Sequence, residues 1–332
     1  MTETRHPGRP PGREGLREQG ILRADLHVHS CHSGFTRTLP VFRSRDSYST
    51  PEEIYRTARA RGMDLVTITD HDSIDGCLEL LEQRPDSPDV LMGEEIECQL
   101  AGDGIRLHVG ALGLTEAMHR EVQSLRGNVR EAAAYLRSQG AVLVLHHPFH
   151  FFDGRTAVGR YLEQVLPLVD AVEVLNGTML PAHNELAAGV AGRWRETRPG
   201  VPLAGTGGSD AHVLTHVADA YTEVDVPPAA TNRAPDTAAG RFLQALRRGE
   251  CRAAGAHGTP GRFAFEIYGV VFNYWAGLLG LRRSGLSRGQ RAAGLGCSLV
   301  SLPFQLAPLF ISIAQKRRER QRVARWKREL GA

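Results

Sequence analysis

The stretch Asp25-Leu26-His27-Val28-His29-Ser30 decides how the rest of this sequence is interpreted. It ends a short apolar run, and residues 22–29 together predict a β-strand. Residues two apart on a strand point to the same side, so His27 and His29 can bind one metal ion together. An isolated pair of this kind is weak evidence, because buried or surface histidines usually have no such role. The interpretation therefore depends on what the other predicted strands carry.

The same arrangement recurs along the chain, where ligand-type residues follow short apolar runs. Further strands are predicted at residues 65–69, from 90, and at 105–112, 141–145, 171–175 and 201–204. Helices are predicted between them at residues 50–62, 128–139 and 242–248, which indicates a mostly parallel α/β domain. The polar residues at the strand ends are His27, His29, Asp70, His71, Glu95, His147, Asn176, Asp210 and His212. In a β/α barrel these ends meet on one face, so we expect the side chains to converge there.

Taken in order, these motifs resemble the PHP (polymerase and histidinol phosphatase) family over residues 24–223. The matching pieces are D-L-H-V-H-S at 25–30, I-T-D-H-D at 68–72, G-E-E-I at 93–96, His108, H-P at 147–148 and G-S-D-A-H at 208–212. The resemblance implies an α/β fold, a distorted (β/α)7 barrel. It also implies a cofactor of two or three divalent metal ions and the hydrolysis of phosphomonoesters or phosphodiesters.

The ligands that the resemblance implies are His27, His29, His71, Glu95, His108, His147, Asp210 and His212. A ninth ligand is expected shortly before the Thr50-Pro51-Glu52-Glu53 motif. Residues 35–45 are an insertion at this point, and counting back from Thr50 favours Asp46 over His32. Zinc, manganese and iron all accept imidazole and carboxylate ligands, so the identity of the metal stays open.

Three of these residues are candidates for direct catalytic roles: Glu95, His212 and Asp210. Two metal ions can activate a water molecule and stabilise an in-line displacement, and Glu95 is the expected bridge between them. His212 is expected to help bind the phosphoryl group or to protonate the leaving oxygen. Asp25 is a candidate to orient one of the ligand histidines.

Arginines are the candidate substrate-binding residues, because a guanidinium group binds phosphate through two parallel hydrogen bonds. Arg37, Arg43 and Arg45 lie in the insertion next to the predicted cluster, and Arg130 starts a predicted helix. A solvated loop explains the arginines of the insertion equally well. Asn176 follows a strand and is a further substrate-binding candidate.

The composition limits the class of protein. A formal net charge of +3 over 332 residues does not suggest a polyanion-binding protein as a whole. The five cysteines are scattered and include no C-x-x-C pair, which argues for a reducing compartment and against a disulfide framework. No apolar secretory segment occurs in residues 1–20, so a cytoplasmic location is expected.

We divide the chain into a flexible segment at 1–20, the PHP domain at 21–255 and an apolar helical segment with a basic tail at 256–332. Residues 292–314 carry no charge and are long enough to cross a bilayer, although Pro303 and Pro308 weaken a straight span. Their basic flanks favour peripheral contact of residues 263–328 with an anionic membrane. The alternative is a helical cap on the barrel with a solvated basic tail. Binding of nucleic acid ranks lower, because Trp326 alone is available for stacking.

The function expected from the sequence is hydrolysis of a phosphorylated substrate by metal-activated water. Two alternatives stay open: a metal hydrolase acting on a non-phosphate bond, and a non-catalytic binding or scaffold module at the membrane. The substrate and the oligomeric state cannot be deduced from the sequence.

Overall fold

The computed structural model describes residues 20–35, 44–226, 237–282, 286–300 and 307–331. The strands in this part of the chain are β1 (Ile21–Asp25), β2 (Leu65–Ile68), β3 (Val90–Leu100), β4 (Ile105–Leu112), β5 (Val142–Leu145), β6 (Ala171–Asn176), β7 (Ala204–Gly208), β8 (Ala220–Asp225) and β9 (Cys251–Gly255). The α-helices are α1 (Pro51–Ala60), α2 (Asp75–Gln83), α3 (Glu116–Leu125), α4 (Val129–Ser138), α5 (Val158–Val165), α6 (Pro181–Thr197), α7 (Ala238–Arg248), α8 (Pro260–Leu278), α9 (Arg288–Val300) and α10 (Ala307–Leu330).

All nine strands belong to one sheet in the order β7-β6-β5-β4-β3-β2-β1-β8-β9. The sheet curls until its β7 edge meets the strands of the opposite end. The Gly207 backbone N–H donates to Thr222 Oγ1 at 2.9 Å, and Cys251 Sγ donates to the Gly205 carbonyl at 3.4 Å. These bonds nearly close a barrel, which confirms the α/β barrel expected from the sequence.

The strand directions depart from a simple repeat of strands and helices. The pairs β1–β2, β2–β3, β5–β6 and β6–β7 are parallel, whereas β3–β4, β4–β5, β1–β8 and β8–β9 are antiparallel. A short turn joins β3 to β4, so no helix separates them. The expectation of a mostly parallel domain was therefore wrong for half of the strand pairs, and β8 and β9 were missed.

Strand β7 begins three residues after and ends four residues after the predicted strand at 201–204. Its sequence, Ala-Gly-Thr-Gly-Gly, lacks the large apolar side chains that usually mark a strand. Small residues are needed there because a Cβ on Gly208 would lie 2.4 Å from His27 Cβ, and one on Gly207 would lie 2.5 Å from the Tyr221 carbonyl. Strand β1 is shorter than predicted and ends at Asp25, before the two histidines.

Helix α1 begins as the sequence predicts. The Thr50 side chain accepts a hydrogen bond from the Glu53 backbone N–H at 3.3 Å, and the Glu53 side chain accepts one from the Thr50 N–H at 2.9 Å. This reciprocal pair is a capping box. Asn128 caps α4 in a similar way by accepting from the Arg130 N–H at 3.2 Å. Local chemistry alone explains why both of these starts could be predicted.

Helix α10 carries the basic tail and packs onto the barrel. Val323 and Trp326 are buried in the main core cluster, and the Trp326 ring lies 5.7 Å from Phe149 and 5.3 Å from Phe152 between centroids. This packing agrees with the alternative of a helical cap on the barrel, and basic side chains of the helix such as Arg317, Arg320 and Arg328 are exposed. In the described part of the chain, no helix has both the length and the apolar character needed to cross a bilayer. The span considered at 292–314 includes residues 301–306, which lie outside the described residues.

Candidate metal centre

The nine side chains predicted as ligands come together at one end of the barrel. Their nitrogen and oxygen atoms form four overlapping groups, and the atoms of each group lie within 4.8 Å of one another. The groups are His29 with Asp46, His71 and His212; His27 with His147 and Asp210; His27 with His29 and Glu95; and His71 with Glu95 and His108. We call these nine residues the cluster. Several of its members belong to two groups, so the positions for ions adjoin one another.

Glu95 lies at the centre of the cluster on β3 and is completely buried. Its carboxylate oxygens lie 2.9 Å from His71 Nδ1, 2.9 Å from His108 Nδ1 and 3.1 Å from His147 Nε2. Burial by itself raises the pKa of a carboxyl, but the surrounding His108, His27 and His71 hold the pKa of Glu95 well below its usual value. Glu95 is therefore ionised, the form in which a carboxylate can bridge two cations.

Buried polar atoms without partners mark the places where cations fit. Within the described residues, His27 Nε2, His29 Nε2, Glu95 Oε2 and His108 Nδ1 are buried and form no hydrogen bond of good geometry, although Glu95 Oε2 lies 2.9 Å from His71 Nδ1 and His108 Nδ1 lies 2.9 Å from Glu95 Oε1. Leaving so many polar atoms unsatisfied would cost several kcal/mol in total, at about 1–3 kcal/mol for each. A set of imidazole nitrogens and carboxylate oxygens is what zinc, manganese and iron accept, so these residues fit divalent metal ions.

The two histidines of the opening motif differ in protonation. Burial and the neighbouring His212 and His71 together lower the pKa of His29 to about 3, so its imidazole is neutral and free to bind a metal. Burial also acts to lower the pKa of His27, but Glu95 and Asp210 outweigh it and hold that pKa well above its usual value. The carboxylates thus favour a positive charge beside His27, which a proton or a metal ion can supply.

Asp46 rather than His32 lies in the cluster. Asp46 Oδ2 is 3.0 Å from His212 Nε2 and 3.5 Å from His71 Nε2. His32 lies away from these residues, where its Nε2 makes a 2.6 Å contact with Glu79. Asp46 directly precedes the buried residues 47–49, which lead into α1, so the spacing from the Thr50 motif located it correctly.

Glu173 is a buried acid of this site that the sequence reasoning missed. Its Oε1 lies 2.9 Å from His27 Nδ1, and its Oε2 accepts from the His147 N–H at 2.8 Å and from Asn176 Nδ2 at 2.9 Å. A carboxylate on one ring nitrogen fixes the orientation of the imidazole and turns the other nitrogen toward the metal. The one available signal was an acid inside the apolar run of β6.

Asp25 does not contact an imidazole, contrary to the prediction that it orients a ligand histidine. Its carboxylate accepts from the backbone N–H groups of Ser209 at 2.8 Å, Ala218 at 2.7 Å and His27 at 3.3 Å. Burial raises its pKa to about 6, although these hydrogen bonds oppose the rise. Asp25 therefore ties β1 to the segment that follows β7, which carries Asp210 and His212.

Two cluster residues have strained backbones. His147 has a φ of 24° and Asp210 has a φ of 52°, the left-handed region that non-glycine residues rarely adopt. Such strain costs on the order of 1–3 kcal/mol and persists where the surrounding structure enforces it. Asn176 helps to hold Asp210, because its Nδ2 donates to Asp210 Oδ2 at 3.2 Å.

A cavity of about 590 Å³ opens above the cluster. Its inner wall is formed by seven of the nine cluster residues: Asp46, His71, Glu95, His108, His147, Asp210 and His212. Its outer wall is formed by Phe263 and Glu266 of α8 with Gln315, Lys316, Arg318, Glu319, Arg322 and Trp326 of α10. The sequence analysis assigned no role in the site to this outer wall. The volume is in the range typical of small-molecule sites.

The predicted substrate-binding residues do not line this cavity where the structure describes them. Arg45 donates to the Cys31 carbonyl, and Arg130 on α4 donates to Gln164 Oε1 at 2.9 Å. Asn176 is completely buried and braces other residues of the site. Arg37 and Arg43 lie outside the described residues.

Comparisons with known proteins agree with this architecture. Residues 181–251 match the family model described as PHP-associated. An uncharacterized protein of Methanocaldococcus jannaschii is 26% identical over 129 residues, which is 39% of this chain and 68% of that protein. The crystal structure of PsfC from Pseudomonas syringae covers 77% of this chain and 99% of its own, with 19% identity and a TM-score of 0.51, a likeness in fold.

Two further solved structures align less closely. A protein of Bifidobacterium adolescentis assigned as a metal-dependent phosphoesterase has 18% identity and a TM-score of 0.43, and covers 68% of this chain and 96% of its own. An amidohydrolase of Chromobacterium violaceum has 18% identity and a TM-score of 0.45, and covers 67% of this chain and 96% of its own.

Proposed function

We propose that this chain, whose residues 181–251 match the PHP-associated family model, is a PHP-type enzyme that hydrolyses a phosphoester by means of two or three divalent metal ions held by the cluster. The observation that carries the proposal is the group of nine histidine and carboxylate side chains around Glu95, with buried ring nitrogens that have no other partner. Zinc, manganese or iron would suit these ligands. When bound, such ions supply a Lewis acid that lowers the pKa of water and offsets charge on phosphoryl oxygens.

The residues of the cluster and its surroundings have distinct roles in binding the ions and holding the ligands in place. Glu95 belongs to two of the ligand groups and is suited to bridge adjoining ions, while Asp210 and His27 adjoin it from the opposite side. Glu173 fixes the ring of His27, and Asn176 and Thr178 both donate to Asp210. This framework leaves the cluster little freedom to reorganise during the reaction, which favours electrostatic stabilisation of a transition state.

His212 lies at the rim of the cluster and faces the cavity. About one fifth of its side chain is exposed, and its Nε2 lies 3.0 Å from Asp46 Oδ2. Burial acts to lower its pKa, but Asp46 outweighs this effect and raises the pKa to about 10. When two ions are bound by the inner ligand groups and His212 binds no metal, a protonated imidazole at this place is suited to donate a proton to a leaving oxygen.

An anionic substrate such as a phosphoester is favoured over a neutral one because the outer wall carries positive charges. Arg318 and Arg322 line the same cavity as the cluster, and guanidinium groups match phosphate in charge and geometry. This supports a phosphoester rather than a neutral amide or ester as the substrate.

The test is to purify the chain without chelator, count the bound metals by elemental analysis and assay phosphomonoesters and phosphodiesters. We expect two or three ions per chain and hydrolysis by the wild type. His27→Ala and Asp46→Asn should lose metal and activity, whereas His32→Ala, outside the cluster, should keep both. Asp46 lies at the partly exposed rim of the cluster, so Asp46→Asn should fold normally. Loss of metal and activity in this variant therefore cannot be attributed to loss of folding.

Three results would contradict the proposal in different ways. Metal binding without phosphoester hydrolysis, but with hydrolysis of amides or carboxylic esters, would establish a different metal hydrolase. Metal binding without any hydrolysis would favour a binding or scaffold module. Absence of bound metal after addition of manganese or zinc would remove the basis of the proposal.

We also propose that the C-terminal helices contact an anionic membrane surface of the cytoplasm. Six of the eight large apolar side chains that are exposed in the described residues lie between 263 and 328: Phe265, Phe272, Leu279, Leu281, Phe310 and Ile313. Basic residues accompany them, and all five cysteines are free, as a reducing compartment requires. Flotation with anionic vesicles should retain the wild type and release Phe272→Glu, while Val201→Glu on the barrel should still bind. Equal recovery of both variants would contradict this proposal.

A further inference from the structure

Helix α10 brings three cations to the cavity: Lys316, Arg318 and Arg322. The helix is fixed to the barrel further along by Val323 and Trp326, which are buried in the core. It is therefore a wall of the site, and its side chains have defined positions relative to the cluster. The three cations differ in whether the protein already neutralises them.

The ammonium group of Lys316 is neutralised and hydrogen-bonded within the protein. It is buried, its Nζ donates to the Thr178 carbonyl at 2.8 Å, and it forms an ion pair with Glu319 at 2.8 Å. Glu319 in turn accepts from the Leu180 N–H at 3.0 Å, at the start of α6. The Thr178 hydroxyl donates to Asp210 at 2.9 Å, so Lys316 connects α10 to the cluster through Thr178. Lys316 therefore holds the wall in place.

Arg318 and Arg322 are different, because no acid of the described chain lies within ion-pair distance of either guanidinium group, and neither forms a hydrogen bond there. They are exposed toward the cavity and lie four residues apart, so they share one face of α10. The acids nearest to them in sequence are engaged elsewhere: Glu319 pairs with Lys316, and Glu329 pairs with Arg325 at 3.8 Å. Two uncompensated positive charges thus face the cavity.

The inner wall already provides what a scissile phosphoryl group needs. A cavity of about 590 Å³ also holds the organic part of a small substrate, which must extend from the cluster toward α10. An anionic group at the far end of that substrate would meet the two arginines, which can bind it through charge-assisted hydrogen bonds.

We infer that Arg318 and Arg322 form a second anion site, so that the preferred substrates are small phosphoesters carrying a further phosphate or carboxylate away from the bond that is cleaved. This inference rests on the proposed phosphoesterase function. It assigns the arginines to the selection of substrate and leaves the hydrolytic step to the cluster.

The experiment compares alkanediol bisphosphates of increasing chain length with the matching monophosphates. The wild type should prefer the bisphosphate at one or more lengths, through a lower KM. In Arg318→Gln/Arg322→Gln this preference in kcat/KM should fall by about tenfold or more, because hydrogen bonds to a charged group are lost. Its kcat on the monophosphates should stay unchanged. Arg320→Gln, on the same helix but outside the cavity, is the matched control and should keep the preference.

A double variant that keeps the preference overturns the inference, and so does one that loses activity equally on both substrates. If the wild type hydrolyses neither substrate, the proposed function has failed, and calorimetry with the corresponding bisphosphonates and monophosphonates then tests the arginines. Tighter binding of the bisphosphonates, lost only in the double variant, supports the second anion site. Equal binding of the two ligands by the wild type overturns it.

Discussion

The inner and outer walls of the cavity hold their functional groups in different ways. Inner-wall groups such as Glu95, in the middle of β3, and His147, just after β5, are buried and have neighbours on every side. On the outer wall, Arg318 and Arg322 extend from one face of a helix and have no ion-pair partner within the described chain. The ligand groups of the inner wall are suited to bind cations, and the arginines of the outer wall are suited to bind an anion. Reactivity and selectivity are therefore assigned to parts of the chain that lie far apart in sequence.

The largest effect is expected at Glu95. Glu95→Gln removes the negative charge that two ligand groups share, so activity should fall by about a thousandfold or more, together with metal content. Glu94→Gln is the matched control: Glu94 is equally buried, but it contacts His119 and Gln123 at 2.9 and 2.6 Å. Steady-state kinetics with elemental analysis measures both. Equal losses in the two variants would show that the central position of Glu95 has no special importance.

A smaller effect on metal binding is expected at Glu173, which contacts the cluster residue His27. Glu173→Gln keeps the size of the side chain but weakens its hold on His27, so metal affinity should fall by about 10–100-fold. Titration of the apoprotein with manganese or zinc measures this change. Glu196→Gln, exposed on α6, should bind metal as the wild type does. An unchanged affinity in Glu173→Gln would mean that the orientation of His27 is fixed by packing alone.

The attachment of the outer wall can be tested through stability. Trp326→Ala removes a buried indole between Phe149 and Phe152, so the free energy of unfolding should fall by about 3 kcal/mol or more. Denaturant unfolding monitored by circular dichroism measures it, with Arg320→Gln as the control. A loss below about 1 kcal/mol would indicate that α10 is held only weakly and is not a fixed wall.

No effect on catalysis is expected at Arg130. Its guanidinium binds Gln164 on the outside of the barrel and does not line the cavity, so Arg130→Ala should keep both KM and kcat. A raised KM for phosphoesters would show that Arg130 binds the substrate, as the sequence suggested. It would also show that the outer wall is not the binding site of the substrate anion.

Sequence reasoning succeeded where a residue's type already states its chemistry. His27, Glu95 and Asp210 are ligand-type residues next to apolar runs, and the structure brings all nine predicted ligands together. It failed at β7, whose small residues carry no strand signal, and at Glu173, whose role depends on a histidine 146 residues away. It also proposed Arg45 and Arg130 as substrate-binding residues, and neither lines the cavity, because an arginine has the same local pattern on any exposed surface.

By itself, then, the sequence determined the barrel, the starts of α1 and α4, and the identity of the cluster. Ligand-type residues that follow the apolar runs indicated the barrel, and side chains that cap helices indicated the two helix starts. The full set of nine ligands was implied by the resemblance to the PHP family. Only the tertiary structure decided that the basic C-terminal helix is a wall of the site, and which arginines face the cavity. The physical reason is that the function of a charge such as that of Arg318 depends on the groups across the cavity, and those groups come from residues 46–212, far from α10 in sequence.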